Sequence, residues 1–476
     1  MQPADARFDV SETHVKRLRV GIIGAAIAGP TFALQILSHP ILKARYWPIL
    51  YERAQDPNVL DADSDNPQHH HSAGAGIALF GNGLYPLFRL GLREDLKRAG
   101  RESTQLSLWK AGYDGTFERL GTANHSGWAE DLQTHLIAFQ RGDLQSVLLN
   151  RYRELGGEIR YDHALQSLDS LPSVKVQAAF ENGTTDELDL VVGADGAYSK
   201  VRKYILERRD PATADTRWLP DFFGVSGIYG ISSETQYTQT SEHADPQTHG
   251  LWLQRGNLSS SPLPNGRLRW DLLVPEDYAP SGQESRKLTE TLEDHVPTAA
   301  WERTILSGAY PREYTVSILK KHIHVYHPPA ASIGALLQSA ECIIHTPLRQ
   351  RVWNDDEIQC ENVALIGDAS RTLLPTSGQG TGFAIEDATV LAAMLLKHAA
   401  LDGANDSAIK VALQEYARSR VPRSKRMAQV AWYAGKLGMG ETWYWRWLRD
   451  LSSRLASFGG KEQSDSWPFN ARFDVE

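Results

Sequence analysis

Along the chain, mostly apolar residues run from Leu18 to Ile23, reach Gly24, and give way to small and apolar positions at helical spacing. That order predicts strand, turn and helix. A second apolar run, Trp47 to Tyr51, ends in Glu52 and completes a βαβ-sized unit with an acidic residue at the tip of its second strand. Further strands are expected at Leu188 to Val192 and Val363 to Ile366, each ending in a Gly/Asp turn. From Trp218 to about Val325, short β-branched and aromatic runs alternate with turn signals such as Pro264-Asn265-Gly266, which predicts an antiparallel sheet. Glu386 to Arg426 carries apolar residues at helical spacing and predicts helices. Polar stretches at Ser38 to Pro40 and Asp56 to His71 are expected as surface loops, and no repeat of solenoid length is visible.

With 476 residues the chain is long enough for two or three domains, and 41% hydrophobic with 23% charged residues is ordinary for a globular protein. A net charge of -8 argues against a nucleic-acid partner, and the basic run Arg418 to Arg426 is expected to be a solvated helix face. The two cysteines, Cys342 and Cys360, have no ligand or disulfide spacing; a reducing, cytoplasmic setting is expected. The N-terminus has no apolar core of a signal peptide, and no run is long enough to span a membrane; the nearest, Trp443 to Leu451, is interrupted by Arg446, Arg449 and Asp450. The triplet His69, His70 and His71 is expected in an exposed loop rather than at a metal, because adjacent residues cannot converge on one ion unaided. The pentapeptide ARFDV occurs twice, at Ala6 to Val10 and Ala471 to Val475, with no evident reason in the sequence.

Three motifs carry chemistry. Gly24-Ala25-Ala26-Ile27-Ala28-Gly29 is a Gly-x-Gly-x-x-Gly fingerprint with Ala26 at the middle glycine. The first glycine makes the tight turn, the third allows close helix packing, and the helix N-terminus favours an anion. Glu52 is placed to accept ribose hydroxyls. In the second motif the strand ends in Gly193-Ala194-Asp195-Gly196 and a basic segment follows through Arg202. The third has Gly367-Asp368, then Pro375-Thr376-Ser377-Gly378-Gln379-Gly380-Thr381-Gly382 opening directly into a helix. A glycine-rich loop at a helix start suits a ligand carrying negative charge.

In that order, the three motifs resemble the class A, single-component FAD-dependent aromatic-hydroxylase superfamily over most of Leu18 to about Arg426. Gln140-Arg141 and Gly74-Ala75-Gly76-Ile77 add to the likeness, and Phe223-Gly224 looks closest to the fungal secondary-metabolite branch. The resemblance implies an α/β fold in which a Rossmann-like FAD-binding domain of glutathione-reductase type carries an inserted antiparallel substrate domain and a C-terminal helical region. The FAD-binding domain is expected at 15–85, 125–215 and 345–434, the substrate domain at 86–124 and 216–344, and a helical cap at 435–476. The resemblance also implies cofactor contacts from Gly24, Ala26, Gly29, Glu52, Ala75, Gly76, Arg141, Asp195, Asp368, Gly380 and Thr381, with Arg202 and Tyr229 as the catalytic candidates. Ala26 and Ser370-Arg371 depart from the common pattern.

No second dinucleotide fingerprint appears, so NADPH or NADH is expected only as a transient cosubstrate. The implied activity is FAD-dependent monooxygenation with O2 through a flavin C4a-hydroperoxide, hydroxylating or epoxidising an aromatic or indolic small molecule. A reductase or saturase of the same fold, and a non-catalytic FAD-binding protein, are the alternatives. Trp252 and Trp270 are expected in the substrate domain, where aromatics suit either an apolar ligand or a core.

Overall fold

The computed structural model describes residues 17–56, 76–124, 131–172, 175–233, 247–277, 279–280, 297–306, 308–402, 406–455 and 471–475. Ala75, the histidine triplet and the N-terminal ARFDV copy lie outside them. The fold is mixed α/β, organised around two large sheets.

The first sheet has the order β18-β19-β12-β1-β2-β8, built from β1 (Leu18–Ile23), β2 (Tyr46–Tyr51), β8 (Glu158–Arg160), β12 (Leu190–Gly193), β18 (Gln359–Cys360) and β19 (Val363–Leu365). All neighbours are parallel except the edge pair β18 and β19. Parallel strands bury both faces, which is why these segments read as continuous apolar runs. Val20, Ile22, Ile49, Leu50, Val191, Val192 and Leu365 are all inaccessible to solvent. Helices α1 (Ala28–Ser38), α2 (Pro40–Arg45), α3 (Gly81–Arg89), α4 (Arg93–Ala99), α5 (Arg141–Glu154) and α6 (Lys200–Arg209) contribute to the same core, and the short α7 (Ala214–Arg217) follows. Leu87, Leu90, Leu92 and Leu96 thus pack with the parallel sheet, although 86–124 as a whole was expected with the substrate domain; of its strands, Gln105–Ala111 and Phe117–Asn124 join the other large sheet.

That second sheet has eight strands in the order β20-β17-β13-β16-β15-β14-β5-β6: β5 (Gln105–Ala111), β6 (Phe117–Asn124), β13 (Asp221–Ser232), β14 (Gln247–Trp252), β15 (Asn257–Pro262), β16 (Leu268–Pro275), β17 (Ala340–Val352) and β20 (Arg371–Thr372). It is antiparallel apart from β14 beside β5. The β15–β16 connection turns through Asn265 and Gly266, both at positive φ, as an Asn-Gly hairpin requires. One face packs on α8 (Arg312–Lys320) and α9 (Ile333–Gln338) through Leu272, Val316, Leu319 and Leu336. Two small sheets, β3 (Gly76–Leu79), β7 (Leu136–Gln140), β4 (Arg101–Ser103), and β9 (Leu165–Ser170), β10 (Val176–Phe180), β11 (Thr185–Leu188), complete the strands. The C-terminal part is helical: α10 (Gly380–Asp402), α11 (Asp406–Met439) and α12 (Trp443–Leu455).

Candidate active site

Because β12 lies between β1 and β19, the three Gly-rich turns meet at the carboxyl ends of three adjacent parallel strands. Gly24, Asp195 and Asp368, each more than 150 residues from the next in sequence, stand side by side at the carboxyl ends of the strands, the place where open α/β sheets bind ligands. The turns are cross-tied: Ala194 N–H donates to the Ile23 carbonyl at 2.8 Å, and Ile366 N–H to that of Gly193 at 2.9 Å.

Gly24 sits at φ +108°, where a Cβ would meet the Ala194 carbonyl oxygen at 2.5 Å. A Cβ on Gly29 would collide with the Gly24 carbonyl oxygen, which holds α1 tight against the strand turn. Ala26 is half-buried on this loop, and α1 has neither a side-chain cap nor an acidic residue in its first turn. Its N-terminal amides are thus left for an anion. Glu52 accepts the Ala25 N–H at 2.9 Å and the Ala54 N–H at 3.0 Å. Each carboxylate oxygen keeps a second lone pair, so a ribose hydroxyl fits there as well.

The two acidic turn residues differ. Asp195 takes the Val201 N–H at 3.2 Å on one oxygen, while Oδ1 is buried without a partner. Burial pushes its carboxyl up, against the pull of Ser199, Val201 and Arg202. Asp368 is reachable by solvent although protein surrounds it closely; this crowding raises its pKa, and Arg371, Arg141 and Arg202 oppose the rise. Arg141, at the start of α5, is near enough to Asp368 to act on its charge. An orphaned acceptor, an accessible carboxylate, an arginine and bare helix N-termini suit a ligand with hydroxyls and phosphates, and FAD has both.

Arg202 is not aimed at the cleft. Nε donates to the Trp218 carbonyl at 2.9 Å, one terminal nitrogen to Ala369 at 2.8 Å, the other to Ala197, and the guanidinium lies 3.8 Å over the Trp353 ring. It clasps the Asp195 turn to the Asp368 turn. Burial pushes its pKa down to about 10, so it stays cationic at neutral pH.

Gly380 and Thr381 open α10, half-buried, with no acidic residue in the first turn. Behind them lies a buried ion network that the sequence reading missed. Arg420 pairs with Glu386 and Asp387, both at 2.7 Å; Arg423 pairs with Glu386 at 2.7 Å, and Arg371 with Asp387. Asn82 donates to Glu386 at 2.7 Å and to Gln379 at 2.8 Å. Burial alone would raise both carboxyls, yet the arginines hold them below the usual carboxylate range. The expectation of a solvated Arg418 to Arg426 face is thus corrected: Arg420 is buried and Arg423 nearly so, because α11 turns them onto α10. Ser370-Arg371 likewise acquires a role, as Arg371 and the Ser370 hydroxyl both meet Asp387.

Beyond the cleft, the second face of the eight-stranded sheet carries Tyr229 directly opposite Asp271 on the neighbouring strand. Arg269 pairs with Asp271 at 2.5 Å and reaches the Gly76 carbonyl at 3.4 Å, linking this cluster to the start of β3. Asp271 Oδ1 is buried without a partner. Burial and the Asp271 carboxylate push the Tyr229 phenol upward, so it is a neutral hydrogen-bond donor. Around it Val225, Leu273, Leu348, Leu374, Ala431 and Met439 form an apolar wall between sheet, glycine-rich loop and α11. Trp270, one residue from Asp271, points to the opposite face, where its indole N–H is held by Ser232 at 2.9 Å; it is core. Trp252 is tied to Ser453 on α12.

The C-terminal ARFDV copy is docked on the nucleotide side. Arg472 grips both Asp131 oxygens at 2.9 Å, Asp474 pairs with Arg89 at 2.6 Å, and Phe473 lies against Arg420 and Arg423. No group of metal-ligating side chains occurs among the described residues.

A family profile described as "FAD binding domain" matches residues 312–431. Hispidin-3-hydroxylase of Neonothopanus nambi is 27% identical over 418 residues, covering 84% of this chain and 88% of that protein. Salicylate hydroxylase of Pseudomonas putida is 25% identical, covering 92% and 94%. Among solved structures, Klebsiella pneumoniae HpxO complexed with FAD and uric acid superposes with a TM-score of 0.66 at 17% identity, over 92% of each chain, a likeness of fold. With the motifs in their order, the chain is similar over most of its length to FAD-dependent hydroxylases and monooxygenases, and FAD is the cofactor that this likeness supports.

Proposed function

We propose that the chain is an FAD-dependent monooxygenase that uses NAD(P)H and O2 to hydroxylate or epoxidise a lipophilic aromatic or indolic small molecule. The observation that carries this reading is the alignment of the Gly24, Asp195 and Asp368 turns at the carboxyl ends of adjacent parallel strands, with the Tyr229 face beyond it. In this reading the cofactor domain is a Rossmann-like unit of glutathione-reductase type, gathered from 15–85, 125–215 and 345–434, with the eight-stranded sheet inserted as substrate domain. The α1 N-terminus and Arg141 would hold the pyrophosphate, Glu52 the adenosine ribose, Asp368 and Asp195 the ribityl hydroxyls, and the α10 amides at Gly380 and Thr381 the flavin ring.

The chemistry that FAD would supply when held there is the activation of O2 for transfer. The chain's own residues do the rest. Leu348, Leu374 and Val225 exclude water from the substrate face. The neutral Tyr229 phenol donates to oxygen on substrate or product, and Asp271 with Arg269 holds that donor's surroundings fixed. Arg202, first considered as a catalytic group, acts here as a positioning residue that keeps the two acidic turns in register.

The test is NAD(P)H oxidation by FAD-loaded protein with a panel of phenols and indoles, in air enriched in isotopically labelled O2. Label in the product supports monooxygenation. Product formed equally without oxygen contradicts it and favours the reductase reading.

A further inference from the structure

The last helix is built inside out. On α12 the stripe Trp443, Trp447, Leu451 and Leu455, four residues apart, faces outward, with Trp443 73%, Trp447 61% and Leu455 56% exposed; Tyr444 and Leu448 flank it. Its inward face is the polar one: Arg449 and Ser453 are buried, with Ser453 accepting the Trp252 indole N–H at 2.8 Å and Arg449 reaching the Gly438 carbonyl. A surface helix of a globular protein has the reverse arrangement. The segment is expected from the sequence as a helical cap, with no side assigned to its tryptophans; Trp443 and Trp447 face outward.

The neighbouring stretch adds charge. From Ala417 to Gly440 the chain has six basic residues and no acidic one, within a protein of net charge -8; Arg420 and Arg423 are taken up by the buried network, and Arg418, Lys425 and Arg426 are exposed. Lys425, Arg426, Gln429, Val430, Trp432 and Tyr433 are exposed along one side of α11, so basic groups run into an aromatic pair just before the turn to α12. No described helix is long and apolar enough to cross a bilayer. Outward Trp, Tyr and Leu bordered by Arg and Lys is the pattern of a helix that lies in the headgroup region of an anionic bilayer, apolar side down.

We propose that α12, with the exposed side of α11, is an interfacial membrane-binding element that seats the enzyme on an anionic lipid surface. The surface takes lipid, not a substrate, so the proposal stands apart from the assigned activity. The exposed Arg418, Lys425 and Arg426, which oppose the chain's own overall charge, match an anionic lipid surface, whereas Lys436 and Arg454 are paired with Glu441 and Glu118.

The experiment is flotation of the full FAD-loaded chain with phosphatidylcholine vesicles, with and without phosphatidylserine, alongside a triple variant Trp443→Ser, Trp447→Ser, Leu451→Ser. All three side chains are exposed, so folding is retained, which thermal melting and flavin content verify. The wild-type chain is expected to float with phosphatidylserine vesicles, with a blue-shifted tryptophan emission and weaker binding in high salt. The triple variant should bind at least about a hundredfold more weakly, given the apolar area removed, while flavin content stays the same. Binding that is equal for both proteins, or absent in the wild type, overturns the proposal. So does a wild-type dimer in analytical ultracentrifugation that the triple variant abolishes, since it would assign the face to a second copy.

Discussion

Asp387, in the second turn of α10, accepts the backbone N–H of Gly367 at 2.9 Å, so the helix opened by the glycine-rich loop and the Gly-Asp turn of β19 are fixed to each other by one buried carboxylate. The same carboxylate meets Arg371 and Arg420. Asp387→Ala would leave two buried guanidinium groups short of a partner, a loss of about 3 to 5 kcal/mol. Chemical denaturation should show that loss, and FAD affinity should fall with it; unchanged stability would mean the network is replaceable by solvent.

Arg202 ties carbonyls from Trp218, Ala369 and Ala197. Arg202→Met keeps much of the packing on Trp353 and removes those donors. The expected result is a lower melting temperature and weaker FAD binding, with turnover per bound flavin close to wild type. A collapse of turnover at full flavin occupancy would instead restore a direct catalytic role.

Tyr229→Phe deletes one hydroxyl beside the Asp271–Arg269 pair and the apolar wall. Substrate-coupled turnover is expected to drop by about a hundred- to a thousandfold, the range for one lost donor at developing charge, with FAD binding unchanged. Stopped-flow kinetics with saturating flavin separates the two.

Two buried histidines behind the eight-stranded sheet set an acid limit. His345 sits between Thr315 and Ser226, at 2.9 Å from each, and His327 bonds Ser260 at 2.9 Å; burial holds both pKa values down to about 3, from an ordinary 6.5. Both are neutral in the fold, whereas in the unfolded chain they take protons below 6.5. Their stability contribution is complete above that value and is lost progressively as pH falls toward 3. Melting temperature should therefore decline on acidification through this window, and His345→Gln should make the decline shallower. An identical pH slope in the variant would move the cause elsewhere, to Glu386 and Asp387, which protonate lower.

The strand ends carrying Gly24, Asp195 and Asp368 were legible, because a continuous apolar run stopping at glycine is a local signal. Sheet register was not. Tyr229 faces Asp271, and a one-residue slip would have set it opposite Trp270; only the pairing decides which of them faces the cleft. Helical phase was equally hidden. Arg420 and Arg423 read as a solvated face until Glu386 and Asp387 are found to lie under them, and the stripe from Trp443 to Leu455 reveals amphipathicity but not which side turns inward. Arg202 stood beside a recognisable turn, yet its guanidinium is spent on backbone carbonyls, which no sequence pattern marks.

The account rests most directly on the flavin. Apoprotein titrated with FAD, followed by absorption and by quenching of flavin fluorescence, should bind one equivalent per chain with resolved flavin bands, and Gly29→Val, whose side chain would collide with the Gly24 carbonyl, should abolish that uptake. A folded, colourless wild-type chain that takes up no FAD would contradict the assignment, and the three aligned turns would then be scaffold alone.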